Sequence, residues 1–265
     1  MSILTPTIRP SLVARINPVA KLAAALLISI VLLLSIDVVS AAVALALELL
    51  LLGFAGLSAR QFWLRTSPLW IAAPLAGLTT VLYGVDSGAV LWEWGFITVT
   101  EGSLGLGLAI MLRVLAIGLP GIVLLATTDP TDLADGLAQV VRLPARFVLG
   151  ALAGLRLVGL GIEDWRSLGL ARRARGIADA RGPIGAVRLF AGQAFAMLVI
   201  SVRRGSKLAT AMEARGFGAD HVERSWARPS TFGAREVLLV MLGAAIAVAA
   251  VAAAVWAGTW SFVLA

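Results

Sequence analysis

Apolar residues run almost unbroken through five stretches of the chain: 19–35, 38–57, 67–85, 103–127 and 237–257. A helix needs about 20 mainly apolar residues to cross the hydrocarbon core of a bilayer, so each stretch is expected to be a membrane span. No proline interrupts the first two, whereas Pro74 and Pro120 fall inside the third and fourth and are expected to kink them. Two further apolar stretches, 143–162 and 184–201, have the length of a span but carry internal arginines, Arg146 and Arg156 in one and Arg188 in the other. We read these two as arms of a hairpin outside the bilayer, apolar where they pack beneath the spans and charged at their far ends.

The polar residues between the spans set the expected orientation. The loop 86–102 holds Asp86, Glu93 and Glu101 with no Lys or Arg, whereas Arg9, Arg15, Arg60 and Arg65 flank the opposite ends of the spans. By the positive-inside rule the N-terminus is cytoplasmic, the acidic loop is outside, and residues 129–235 return to the cytoplasm. Five spans then leave the C-terminus outside. The expected organisation is 1–127 as a membrane part with four spans, 128–234 as a cytoplasmic region, and 235–265 as the last span. Trp63 and Trp70 at the start of the third span, and Trp92, Trp94, Trp256 and Trp260 near outer ends, fit interfacial anchors.

Composition sharpens this into an all-α integral membrane protein of the cell membrane, since 60% of the residues are hydrophobic and only 14% charged. The start of the chain has no short apolar core followed by a small-residue cleavage site, so the first apolar run is expected to be retained as a span. With no cysteine and a single histidine, His221, no thiolate or histidine-built metal site is expected, and no cofactor. The net charge of +7 comes from 22 Lys and Arg, of which 16 lie between Arg142 and Arg235. Aromatic residues are not interleaved among them as a base-stacking surface requires, so no nucleic-acid partner is expected.

That basic region holds a repeated device. Ala174-Arg175-Gly176 and Ala214-Arg215-Gly216 each close a charged helical stretch, and Ala180-Arg181-Gly182 lies between them. Arg203, Lys207, Ala211 and Arg215 recur every fourth residue and form one stripe, with Val202, Leu208 and Met212 on another face. Gly216 followed by Phe217, and Gly176 followed by Ile177, suit the left-handed residue and apolar closure of a Schellman helix end. Two readings stay open at this point. The motifs are well-capped helix ends whose arginine complements exposed carbonyls, or they are slim tips that project a five-donor guanidinium into a partner present in two copies.

The sequence resembles the transmembrane T component of energy-coupling-factor importers, the cobalt-transport permease family, over most of the chain. INPVAKL at 16–22, TTDPTDLADGL at 127–137 and SVRRGSKLATAMEARGFG at 201–218 carry the resemblance. It implies that Ala174, Arg175, Gly176, Ala214, Arg215 and Gly216 end two cytoplasmic coupling helices, each docking on one of two ATP-binding-cassette ATPase subunits or a fused pair. It also implies a partner membrane protein, the S component, that binds the vitamin or transition-metal ion. Ala180-Arg181-Gly182 has no counterpart in the family, and the proline common in the first coupling helix is absent from GLRLVGLGIEDW.

Other charged groups have plainer readings. Asp129, Asp132 and Asp135 have the spacing of a metal–phosphate site, but Asp129-Pro130-Thr131-Asp132 is also a helix start with an N-cap, proline at N1 and an acid facing the helix dipole. Glu48 and Arg113 each fall near the middle of an expected span and form a candidate intramembrane ion pair. Glu163 and Asp164 are expected on a solvated or partner-facing side. No Gly-rich loop of the GxxxxGK[ST] type occurs, so the chain is expected to hydrolyse no nucleotide itself. A conventional importer permease is the rival within transport, because Glu213-Ala214-x-Gly216 partly matches that family's loop. A membrane-embedded lipid enzyme using the aspartates is the rival beyond it.

Overall fold

The computed structural model describes residues 16–53, 56, 58–84, 87–94, 97–176, 182–217, 226 and 228–261. Eight helices and one two-stranded hairpin are found among them. In chain order these are α1 (Pro18–Leu33), α2 (Val38–Leu52), α3 (Ala59–Tyr83), β1 (Val90–Trp94), β2 (Ile97–Thr100), α4 (Glu101–Thr127), α5 (Pro130–Gln139), α6 (Ala145–Ala174), α7 (Gly182–Ala214) and α8 (Ala234–Trp256). The protein is an all-α, multi-pass membrane protein. The chain divides within α5, between Gly136 and Leu137, into one unit holding α1–α4 and α8 and another holding α6 and α7.

In the first unit α4 packs on α1, α2 and α3, and α8 packs on α1 and α2. Lipid tails are as apolar as leucine, so helices in a bilayer associate through close packing rather than expulsion of apolar surface from water. Small residues serve that end. Ala41, Ala44, Ala73, Ala116, Ala250 and Ala254 are fully buried. A Cβ on Gly77 of α3 would sit 2.8 Å from the Gly107 carbonyl oxygen of α4, and one on Gly107 would sit 2.8 Å from that of Gly77. The two backbones therefore meet where only glycine fits.

The expected spans reappear with altered limits. α3 starts at Ala59, eight residues before the apolar run, because Ser58 and Gln61 form a capping box in which each side chain binds the other's backbone amide. Pro68 as well as Pro74 consequently lies inside α3, and Pro120 inside α4, with the helix assigned continuously through each. α2 ends at Leu52, short of the expected 57. At 1.5 Å per residue α1 and α2 are only about 24 and 22 Å long. Their connecting turn is closed over by the chain beyond α8. The Ile36 amide donates to the Ser261 carbonyl at 3.1 Å, and Ser261 Oγ donates to the Ile36 carbonyl at 2.7 Å.

The segment 86–102, expected as an acidic loop, instead contains the antiparallel pair β1 and β2, in register Glu93 with Thr98 and Trp92 with Val99. β2 leads straight into α4 through a second capping box, Thr100 with Ser103.

Among the described residues four helices, α4, α6, α7 and α8, are long and apolar enough to cross a membrane: α4 and α8 are two of the five expected spans, α6 and α7 are the stretches read as arms outside the bilayer, and α1 and α2 are apolar but shorter. α6 and α7 nevertheless bury almost nothing within the chain: Val148 in one and Gln193 in the other.

Candidate functional site: the ends of α6 and α7

α6 and α7 run antiparallel, since successive contacts ascend one helix as they descend the other. Gly161 faces Met197, Trp165 faces Gln193, and Arg172 faces Leu189 and Gly192. Polar groups fix the crossing. Gln193 Nε2 donates to the Trp165 carbonyl at 2.7 Å, and Arg172 donates to the carbonyls of Leu189 at 3.2 Å and Gly192 at 2.8 Å. Asp164 pairs with Arg204 at 2.6 Å, so this carboxylate, expected to face solvent or a partner, is spent inside the helix pair; Glu163 is exposed. The Trp165 and Phe190 rings pack at 5.4 Å.

These contacts lie between residues 161–172 of one helix and 189–204 of the other, so the last of them falls three residues before Arg175 and eleven before Arg215. Arg175 is ten residues past Trp165, and Arg215 is 22 past Gln193. At 1.5 Å per residue the tips stand about 15 and 33 Å along their helices from that Trp165–Gln193 contact, in opposite directions.

Both tips turn on a glycine of positive φ. Gly216 adopts φ +77°, its amide donates to the Glu213 carbonyl at 2.9 Å, and the Phe217 amide reaches back to the Met212 carbonyl at 2.9 Å. That is a complete Schellman motif, which a residue bearing Cβ would strain. Gly176 has φ +69° and donates to the Arg173 carbonyl at 3.0 Å; Ile177 lies outside the described residues. Arg175 and Arg215 are thus the last residues before each reversal, and Ala174, Arg175, Ala214 and Arg215 are all exposed. The stripe Arg203, Lys207, Ala211 is exposed as well, whereas Leu208 and Met212 are half-buried and Val202 is exposed. Ala180 and Arg181 of the third copy, and His221, lie outside the described residues.

The other motifs act within the membrane unit. Asn17 Oδ1 caps α1 by accepting from the Val19 amide at 3.0 Å, and its Nδ2 donates to Ser230 Oγ at 2.8 Å and the Thr231 carbonyl at 2.9 Å. Asn17 thereby ties the start of α1 to the start of α8. Asp129 Oδ1 accepts from the Thr131 amide at 2.7 Å, capping α5 with Asp132 in its first turn. Among the described residues no group of three potential metal ligands gathers there.

Glu48 and Arg113 are both buried, but the structure does not bring them together. Both Glu48 carboxylate oxygens, and Nε and Nη2 of Arg113, have no hydrogen-bond partner. Depth explains this. Glu48 lines a cavity with Pro120 and Val123 of α4, seven and ten residues beyond Arg113, about 10 and 15 Å along that helix. The carboxylate whose charge acts on Arg113 is that of Asp37, the N-cap of α2.

Comparison with known proteins agrees with this architecture. Residues 10–226 match the family CbiQ, cobalt transport protein. The chain is 30% identical over 216 residues to the energy-coupling factor transporter transmembrane protein EcfT of Streptococcus thermophilus, covering 78% of this chain and 81% of the relative. It is 27% identical over 246 residues to the EcfT of Streptococcus equi subsp. equi, covering 88% and 90%. The EcfT of Limosilactobacillus fermentum is 27% identical over 203 residues, covering 72% and 76%. A family match that spans most of the 265 residues, including both Ala-Arg-Gly helix ends, places the chain in the CbiQ family of cobalt transport proteins.

Proposed function

We propose that the chain is the transmembrane coupling subunit of an energy-coupling-factor importer for vitamins or transition-metal ions. It passes the motion of two ATPase subunits, or of a fused pair, to a separate substrate-binding membrane protein and catalyses nothing itself. Residues 1–127 and 235–265 form the part within the bilayer, 128–234 form the coupling region, and the N-terminus and that region face the cytoplasm. The observation that carries this reading is the pair of exposed, glycine-ended tips on opposite sides of one helix crossing. A lone helix end needs only a cap. Two Ala-Arg-Gly ends presented in opposite directions fit a partner that comes in two copies.

In such an importer, closure of the ATPase pair displaces the two tips, and the crossing converts that displacement into a change of angle between α6 and α7. Gln193, Arg172 and the Asp164–Arg204 pair hold the crossing together while its ends move. The apolar surface that α6 and α7 leave exposed, including Val158, Phe190 and Phe195, is the surface offered to the substrate-binding subunit.

Purification of the tagged chain from its own cells in mild detergent tests this. Mass spectrometry is expected to find ATP-binding-cassette ATPase chains and one or more small integral membrane proteins in the complex, with ATP turnover absent when the ATPases are stripped away. A chain that purifies alone and hydrolyses ATP would contradict the reading.

A further inference from the structure

We propose that a cavity between α1, α2, α4 and α8 is a water-binding site in which Lys21 and Glu48 form a solvent-bridged ion pair. The cavity is about 80 Å³, and both side chains line it together with Ile28, Val123, Leu239 and Gly243. Glu48 is only 3% exposed, yet neither of its oxygens has a partner. Lys21 is 7% exposed and can donate three hydrogen bonds, of which one, to the Thr127 carbonyl, spans 3.3 Å. A carboxylate and an ammonium that line one cavity, each short of partners, are the groups a bound water requires.

Size and chemistry agree. One water needs roughly 10–15 Å³ of such space and two to four polar partners, so the cavity has room for several, with Glu48 accepting and Lys21 donating. The rest of the lining is mostly apolar and offers Glu48 no competing donor. The acid whose charge acts on Lys21 directly is Asp132, which belongs to the first turn of α5 and does not line the cavity, so Glu48 is reached from Lys21 only through the cavity. The site assigns Glu48 a partner on α1 in place of Arg113 on α4. It also gives Lys21 two tasks, on the last carbonyl of α4 and on α2.

Hydroxyl-radical footprinting of the wild-type protein in detergent reads bound water directly. Ile28, Val123 and Leu239, at the cavity wall, are expected to label several-fold faster than Leu45 and Leu115, which are as deeply buried but do not line it. The excess should be lost in Glu48→Leu. Equal labelling of the two sets in the wild type would mean a dry cavity and would overturn the proposal. The pairing is read from thermal unfolding of Lys21→Met, Glu48→Gln and the double variant. A double-variant loss of Tm clearly smaller than the sum of the single losses is expected, and additive losses would overturn the ion pair.

Discussion

Lys21, in the first turn of α1, donates to the carbonyl of Thr127, the last residue of α4, at 3.3 Å. Arg65 of α3 does the same for the preceding carbonyl, Ala126, at 2.9 Å. The final carbonyls of a helix have no partner within it, and cations there also complement the helix dipole. α4 therefore stops where two neighbouring helices hold its end, and the Thr128-Asp129 turn into α5 starts from a fixed point. Hydrogen bonds to charged groups contribute about 1.5–3 kcal/mol. Arg65→Met is expected to lower unfolding stability in detergent by that order and Arg65→Lys by less, whereas an unchanged midpoint in both would mean the contact is incidental.

The close approach of Gly77 and Gly107 makes a second expectation. Gly77→Val puts a branched side chain where even a Cβ would meet backbone oxygen at 2.8 Å, so α3 and α4 must separate. Overpacking of this kind costs about 1–3 kcal/mol. Gly105 of α4, two residues before Gly107 and with open space around it, is the control. Thermal unfolding of the two valine variants should show a clear loss for Gly77 and little for Gly105.

Sidedness is open to chemical labelling because the chain has no cysteine. Ser87 precedes the hairpin and Ser167 lies on an exposed face of α6. With the hairpin outside and the coupling region inside, Ser87→Cys should react with an impermeant maleimide in intact cells and Ser167→Cys only after permeabilisation. Reaction of both from one side would contradict the orientation given by the arginine distribution.

What the sequence disclosed followed from which forces were local. The helices of the apolar stretches were legible because so many apolar residues in a row leave few alternatives, and the Gly176 and Gly216 helix ends because only glycine takes a positive φ without strain. The capping box Ser58–Gln61 was equally local and could have placed the start of α3, but the arginines at 60 and 65 drew the boundary to the apolar run. The hairpin was readable from VLWEW and ITVT, rich in β-branched and aromatic residues, although its two strands are only five and four residues long. Glu48 was different. Nothing in the run of leucines around it marks Leu52 as the end of α2, so its depth, and hence its distance from Arg113, depended on tertiary packing.

The coupling role is tested most directly by reversing the charge at both tips. Arg175→Glu and Arg215→Glu each leave the glycine turn and the α6–α7 crossing untouched, since neither arginine takes part in the crossing contacts described above. Each alone is expected to weaken ATPase association, because a charge reversed within a desolvated contact becomes repulsive. The double variant is expected to insert in the membrane and co-purify with its substrate-binding partner while losing the ATPases and transport. A double variant that carries a full ATPase complement and transports at the wild-type rate would contradict it, and would leave the two motifs as helix ends only.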